Sequence, residues 1–246
     1  MNFIQAVAAA RRVPVAPSGI VTSGLIWHID PTDSASYPGS GSTIYDLVGS
    51  NNGAFEGGVY VDANGHLILD GVNDAINFGT ITTANSISIG ASSFTIQGWG
   101  YRINSGNNFG QIYSQYDASN INRVVMFVYL PQARAIASLW SGSTNQQTLN
   151  YGTNTSYNAW RMYTMTYDNS AQTLSIWVDT TQDLPILTGL TSPLSVNRQF
   201  RLGATGTSVS VNEWFGRIGA FMHYNRVLSA SEIAQNYNAT KGDYGL

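Results

Sequence analysis

From Gly19 onward the chain is a succession of short alternating apolar stretches, each cut off within a few residues by Gly, Asn, Asp or Ser. Stretches this short cannot provide the several turns of an amphipathic helix. They suit strands, whose side chains alternate between two faces. Strands are expected over 24–29, 67–69, 75–78, 94–102, 123–129, 135–140, 161–167, 173–178, 200–203 and 215–224. In the stretch 173–178, Leu174, Ile176 and Val178 share one face, and Thr173, Ser175 and Trp177 share the other. In 161–167, Met162, Thr164 and Thr166 alternate with Tyr163, Met165 and Tyr167. The expected fold class is all-β: a two-sheet antiparallel sandwich of roughly a dozen strands.

One helix breaks this pattern. Ser229 precedes a turn whose third residue is Glu232, the spacing of a reciprocal capping box. Ile233, Ala234 and Tyr237 then supply an apolar stripe, and Lys241 and Gly242 suit the end of the helix. The polar stretch 141–158 reads as strand edges and long loops.

Charged residues are only 10% of the chain, so solubility rests on Ser, Thr, Asn, Gln and Gly. The net charge is -3, the basic residues are scattered, and Lys241 is the single lysine, so no nucleic-acid partner is expected. No apolar run is long enough for a membrane span, and no membrane partner is expected. With no cysteine, disulfides and thiolate metal sites are excluded.

Residues 1–18 stand apart. Arg11 and Arg12 follow a short, weakly apolar stretch instead of preceding a long one, so the segment is not read as a secretory signal. Pro14 and Pro17 oppose a helix there. The segment is either a frayed terminus or an arm that orders on docking. As an arm it offers Phe3, Ile4 and Val7 as apolar contacts and Arg11 and Arg12 as cations for acidic groups on a partner. The expected organisation is therefore an arm over 1–18 and a sandwich domain over 19–246.

Several motifs then fall in a recognisable order. Gly24-Leu25-Ile26-Trp27-His28-Ile29-Asp30 opens the domain. Ala35-Ser36-Tyr37-Pro38-Gly39-Ser40-Gly41 and Ile44-Tyr45-Asp46-Leu47-Val48-Gly49 follow, and then Leu69-Asp70-Gly71-Val72-Asn73-Asp74. Phe94-Thr95-Ile96-Gln97-Gly98-Trp99, Trp160-Arg161-Met162-Tyr163 and Gly216-Arg217-Ile218-Gly219 complete the series. Together they resemble the laminin-G-like, concanavalin A-like lectin/glucanase superfamily over nearly all of 19–246. The segment 35–41 with its following Asp-Leu-x-Gly is similar to versions found in structural proteins of tailed phages. The resemblance implies a virion protein, a capsid decoration or a head or tail fibre subunit on the particle exterior. Its expected partners are other virion proteins, a second copy of itself, and a surface polysaccharide. It also implies a structural calcium near the Asp46 loop. Gly219 and Ala220 stand where acids are expected, however, which leaves Asp46 as the remaining candidate ligand and no cofactor as the expectation.

Three chemistries follow from the residues. Glycoside hydrolysis needs paired carboxylates, but none of the three glutamates, Glu56, Glu213 and Glu232, has an acid two positions away. A hydrolase would need acids converging from different strands. Asp70 and Asp74 flank a turn, where aspartate organises backbone. His28, His66 and His223 show neither metal-ligand spacing nor a nucleophile turn, and His28 and His223 read as strand histidines between large apolar neighbours. Non-enzymatic binding is the reading favoured here. Tyr113, Tyr116, Tyr151 and Tyr157 lie in Asn- and Gln-rich surroundings, where a ring can stack while its neighbours hydrogen-bond, and are the candidate glycan contacts.

Overall fold

The computed structural model describes residues 19–82, 87, 89–90, 92–104, 109–119, 121–129, 134–142, 144–148, 157–191, 196–206 and 212–246. The candidate arm residues Phe3, Ile4, Val7, Arg11 and Arg12 lie outside them, as does Tyr151.

Two antiparallel sheets make the sandwich. The first half of the chain supplies β1 (Leu25–Ile29), β2 (Thr43–Ile44), β3 (Gly53–Glu56), β4 (Tyr60–Val61), β5 (Leu67–Asp70), β6 (Ala75–Ile81), β7 (Phe94–Arg102) and β8 (Phe109–Tyr116). The second supplies β9 (Arg123–Tyr129), β10 (Arg134–Ser141), β11 (Thr144–Thr148), β12 (Trp160–Asp168), β13 (Thr173–Val178), β14 (Thr181–Leu187), β15 (Arg198–Leu202) and β16 (Phe215–Tyr224). One sheet runs β14-β13-β12-β7-β16-β5-β4, with β1 also pairing with β16. The other runs β11-β10-β9-β8-β15-β6-β3-β2. Strands distant in sequence pair centrally in both, such as β7 with β16 and β8 with β15.

The period-two patterns do what alternation requires. On β12, Tyr163, Met165 and Tyr167 enter the layer between the sheets, and on β13 so do Leu174 and Ile176. Trp27, Phe78 and Phe200 form an aromatic knot there, with ring centroids 4.4 to 5.2 Å apart. The opposite faces of β7, β12 and β16 are apolar too, and they form a second core of Trp99, Trp160, Met162, Met222 and Tyr224. A strand apolar on both faces needs a cover on each side.

The C-terminus is that cover. The helix α1 (Ala230–Thr240) starts at the Ser229 capping box: the Glu232 backbone N–H donates to the Ser229 hydroxyl (3.3 Å), and the Ser229 N–H donates to the Glu232 carboxylate (2.8 Å). Ile233 is fully buried on the sheet and Tyr237 stacks on Trp99. The buried Asn236, which the sequence pattern did not single out, donates to Gln97 Oε1 and Tyr224 Oη and accepts from the Val21 N–H. A closing 3-10 turn, Lys241–Tyr244, lays Tyr244 over Trp99 and Trp160. The sheet containing β7 is thus sealed by α1, the closing turn and residues 20–25, and is called the covered sheet below. Among the described residues no helix or strand packs across the outer face of the sheet containing β9, the open sheet.

Candidate binding groove on the open sheet

Three neighbouring strands build the site. In β9, Val124, Met126 and Val128 enter the core, so Arg123, Val125, Phe127 and Tyr129 face outward. In β10, Ala135, Ala137 and Leu139 are inside, and Ile136, Ser138 and Trp140 are outside. A register shift in β8 between Gln111 and Tyr113 turns Phe109, Gln111, Ser114 and Tyr116 onto the same outer face. These outward residues, Ser114 excepted, surround a hollow of about 380 Å³. Pairing sets its layout: Phe109 lies opposite Tyr129, Gln111 opposite Phe127, and Tyr116 and Trp140 flank Arg123.

Phe109, Phe127 and Tyr129 make an aromatic cluster at one end, with Phe109 4.7 Å from Tyr129 and 5.6 Å from Phe127 between centroids. Val125 and Ile136 floor the middle. At the other end the Arg123 guanidinium lies 3.4 Å from the Trp140 centroid and 5.5 Å from that of Tyr116. The Trp140 indole donates to the Ser138 hydroxyl (2.8 Å).

Gln111 supplies polarity at the centre. It is 4% exposed; its Nε2 donates to Tyr116 Oη (2.9 Å), and its Oε1 has no hydrogen-bond partner among the described residues. A buried acceptor left unsatisfied costs about 1–3 kcal/mol, so turning this amide toward a donor in the hollow would recover stability. Asn212 completes the rim. Its carbonyl accepts from the Gln111 N–H (2.9 Å), and buried Arg102, packed against Trp214, donates to the carbonyls of Glu213 and Phe215 and so holds that segment.

Among the described residues no acid lines the hollow. Asp117, next to Tyr116, is engaged in its own turn, accepting from the Ile121 and Asn122 N–H groups and the Asn122 side chain. Burial pushes its carboxyl up, but those bonds outweigh it and hold the group below the usual aspartate range. Glu213 is buried beside Arg102, and burial raises its carboxyl above the usual glutamate value.

The sequence-derived candidates scatter. Tyr116 belongs to the groove. Tyr113 does not: it is fully buried between the sheets against Phe200, and its hydroxyl accepts from Gln115. The polar letters around it belong to a strand whose shifted register turns Tyr113 inward, so it is a core residue and not a glycan contact. Tyr157 is half-buried in the turn before β12, near Arg102 and away from the hollow. Asp46 uses both carboxylate oxygens on backbone donors, accepting from the N–H groups of His28, Val48 and Asn51. Among the described residues no three His, Cys, Asp or Glu side chains gather into one group. At Gly219 any side chain would collide with the Tyr244 ring, whose hydroxyl accepts from the Ala220 N–H (2.8 Å).

Two sheets around one core, one outer face sealed and the other carrying an aromatic hollow, define a lectin-like β-sandwich module. The chain belongs to the concanavalin A-like lectin/glucanases superfamily, whose profile matches residues 70–234. Among solved structures it is similar to the sialidase of Trypanosoma rangeli, with a TM-score of 0.66 and 14% identity over 93% of this chain and 35% of that one. The chain therefore spans about a third of the sialidase it matches. It is also similar to the binding domain of botulinum neurotoxin serotype G (TM-score 0.61, 14% identity, 88% of this chain and 51% of that one). A third likeness is domain 4 of AbnA, a GH43 extracellular arabinanase from Geobacillus stearothermophilus, in complex with arabinotriose (TM-score 0.59, 13% identity, 87% and 98%). Comparison with curated protein sequences gives no match. This fold occurs in catalytic proteins and in binding domains alike.

Proposed function

We propose that this chain is a non-enzymatic carbohydrate-binding module that holds a surface glycan in the hollow of the open sheet. The observation that carries this reading is the combination of apolar rings with a buried, unsatisfied amide oxygen in one hollow. A sugar ring presents C–H groups on its faces and hydroxyls at its edge. Phe109, Phe127 and Tyr129 suit the first, and the polar side chains of Gln111, Ser138 and Asn212 suit the second. The arabinotriose complex of a similarly folded domain supports an oligosaccharide as the class of occupant. A binding role without hydrolysis is supported by the hollow's lining, which among the described residues holds no carboxylate pair, and by the ion pair of Glu56, on the same sheet, with Arg201 at 3.0 Å.

Display on a virion, expected from the sequence resemblance, is compatible with this geometry. Gly19 lies against α1, its carbonyl accepting from the Gln235 side chain (3.0 Å). Gly19 therefore lies on the covered side of the sandwich, away from the groove.

A glycan array, followed by affinity electrophoresis with the best-bound polysaccharide, tests the binding reading. Phe127→Ala and Gln111→Ala are expected to weaken binding by about tenfold or more while leaving the circular dichroism spectrum unchanged. Full binding by both variants refutes the groove as the site. Deletion of 1–17 tests the arm as an attachment to the particle: undiminished incorporation into particles removes that role.

A further inference from the structure

We propose that the groove selects glycans bearing a carboxylate, with Arg123 as the counter-charge; this deepens the glycan reading and rests on it. Arg123 lies between Tyr116 and Trp140, and a guanidinium held against a ring keeps its in-plane N–H groups available for a two-pronged grip on a carboxylate. Among the described residues no hydrogen bond uses those N–H groups, and the buried Nε has no partner. Among the described residues no carboxylate lies within ion-pair distance of Arg123 either, whereas Arg161, Arg201 and Arg226 are matched by Asp179, Glu56 and Glu232.

The surroundings give Arg123 no other anion. Asp117 is consumed by its own turn, and Glu213 is buried beside Arg102. The connecting segments 105–108, 130–133, 149–156 and 207–211 contain no acidic residue. In a chain of net charge -3, the hollow thus holds a cation and, among the described residues, no anion. Charge complementarity of this kind sets specificity. A neutral sugar filling the hollow would offer Arg123 hydroxyl acceptors but no counter-charge, whereas a carboxylate supplies a charge-assisted, two-pronged bond.

The test uses isothermal titration of the full chain with polygalacturonate, alginate, hyaluronan and polysialic acid. Each is paired with its carboxyl-reduced form, and neutral arabinan and xylan are included. The expected result is that at least one acidic polymer binds about tenfold or more tighter than its reduced partner, a difference of roughly 1.4 kcal/mol. Arg123→Gln is expected to erase that difference, and Arg123→Lys to retain part of it. Should Arg123→Gln misfold, wild-type affinity must still fall as NaCl rises from about 50 to about 500 mM; salt-independent binding overturns the proposal. Reduced or neutral polymers binding as well as the acidic ones overturn the selectivity and leave the glycan site standing. Binding to none of these polymers overturns both.

Discussion

Replacing His223 with phenylalanine is expected to flatten part of the protein's response to acid. His223 lies on β16, 2% exposed, with its ring edge-on to Phe94 at 6.2 Å and its Nδ1 without a hydrogen-bond partner among the described residues. Burial alone lowers its pKa from 6.5 to about 3. Because the folded value lies below the unfolded one, the unfolded chain takes up the proton first. Nothing is lost above neutral pH, stability falls as pH drops through 6.5, and the loss levels off near pH 3. At about pH 4.5 the two-unit gap below the unfolded value corresponds to roughly 2–3 kcal/mol. Urea unfolding of both proteins at about pH 7.5, 5.5 and 4.5 measures this. His223→Phe carries a packing cost of about 1–3 kcal/mol at every pH, which cancels in the comparison. His28, whose pKa burial also lowers, and the carboxylates titrate in both proteins and cancel likewise. The wild type should lose roughly 2–3 kcal/mol more than the variant between the first and last condition. Equal losses would refute the assignment of a neutral, buried imidazole.

Three further outcomes follow from the packing. Ser229→Ala removes the α1 cap and should cost about 1 kcal/mol in urea unfolding. Gly219→Asp, which restores an acid where the superfamily resemblance places one, should drive a side chain into Tyr244 and cost at least about 2 kcal/mol; a calcium-dependent rise in melting temperature would contradict the account of that position. Tyr113→Ala should cost about 3–5 kcal/mol, as for a large core side chain, and Tyr113→Phe should leave glycan affinity at the wild-type value; a binding loss in Tyr113→Phe would return Tyr113 to the site.

Elements specified by local patterns were readable from the sequence. The α1 capping box needs only Ser229 and Glu232 three residues apart, and β7, β9, β13 and β16 begin and end where alternation places them. β8 was not readable, because Gln111, Ser114 and Gln115 disguise a central strand. Two of them bond to carbonyls distant in sequence: Gln115 donates to that of Ile87 and Ser114 to that of Ala204. The site was half visible. In β9, Val125, Phe127 and Tyr129 are as apolar as Val124, Met126 and Val128, and a strand apolar on both faces is either covered twice or binds something. Which of these holds depends on α1 sealing the other sheet, a long-range outcome that no local pattern announces.

The central claim is that the glycan sits on the open sheet, and the six tryptophan indoles report on it most directly. Trp140 alone lines the hollow, while Trp27, Trp99 and Trp214 are fully buried elsewhere and Trp160 and Trp177 belong to the covered sheet. In a nitrogen–proton NMR titration with the best-bound oligosaccharide, the Trp140 indole signal, identified by its loss in Trp140→Phe, should move until saturation while the other five stay in place. Movement of the Trp160 or Trp177 signal with Trp140 unmoved would contradict the account.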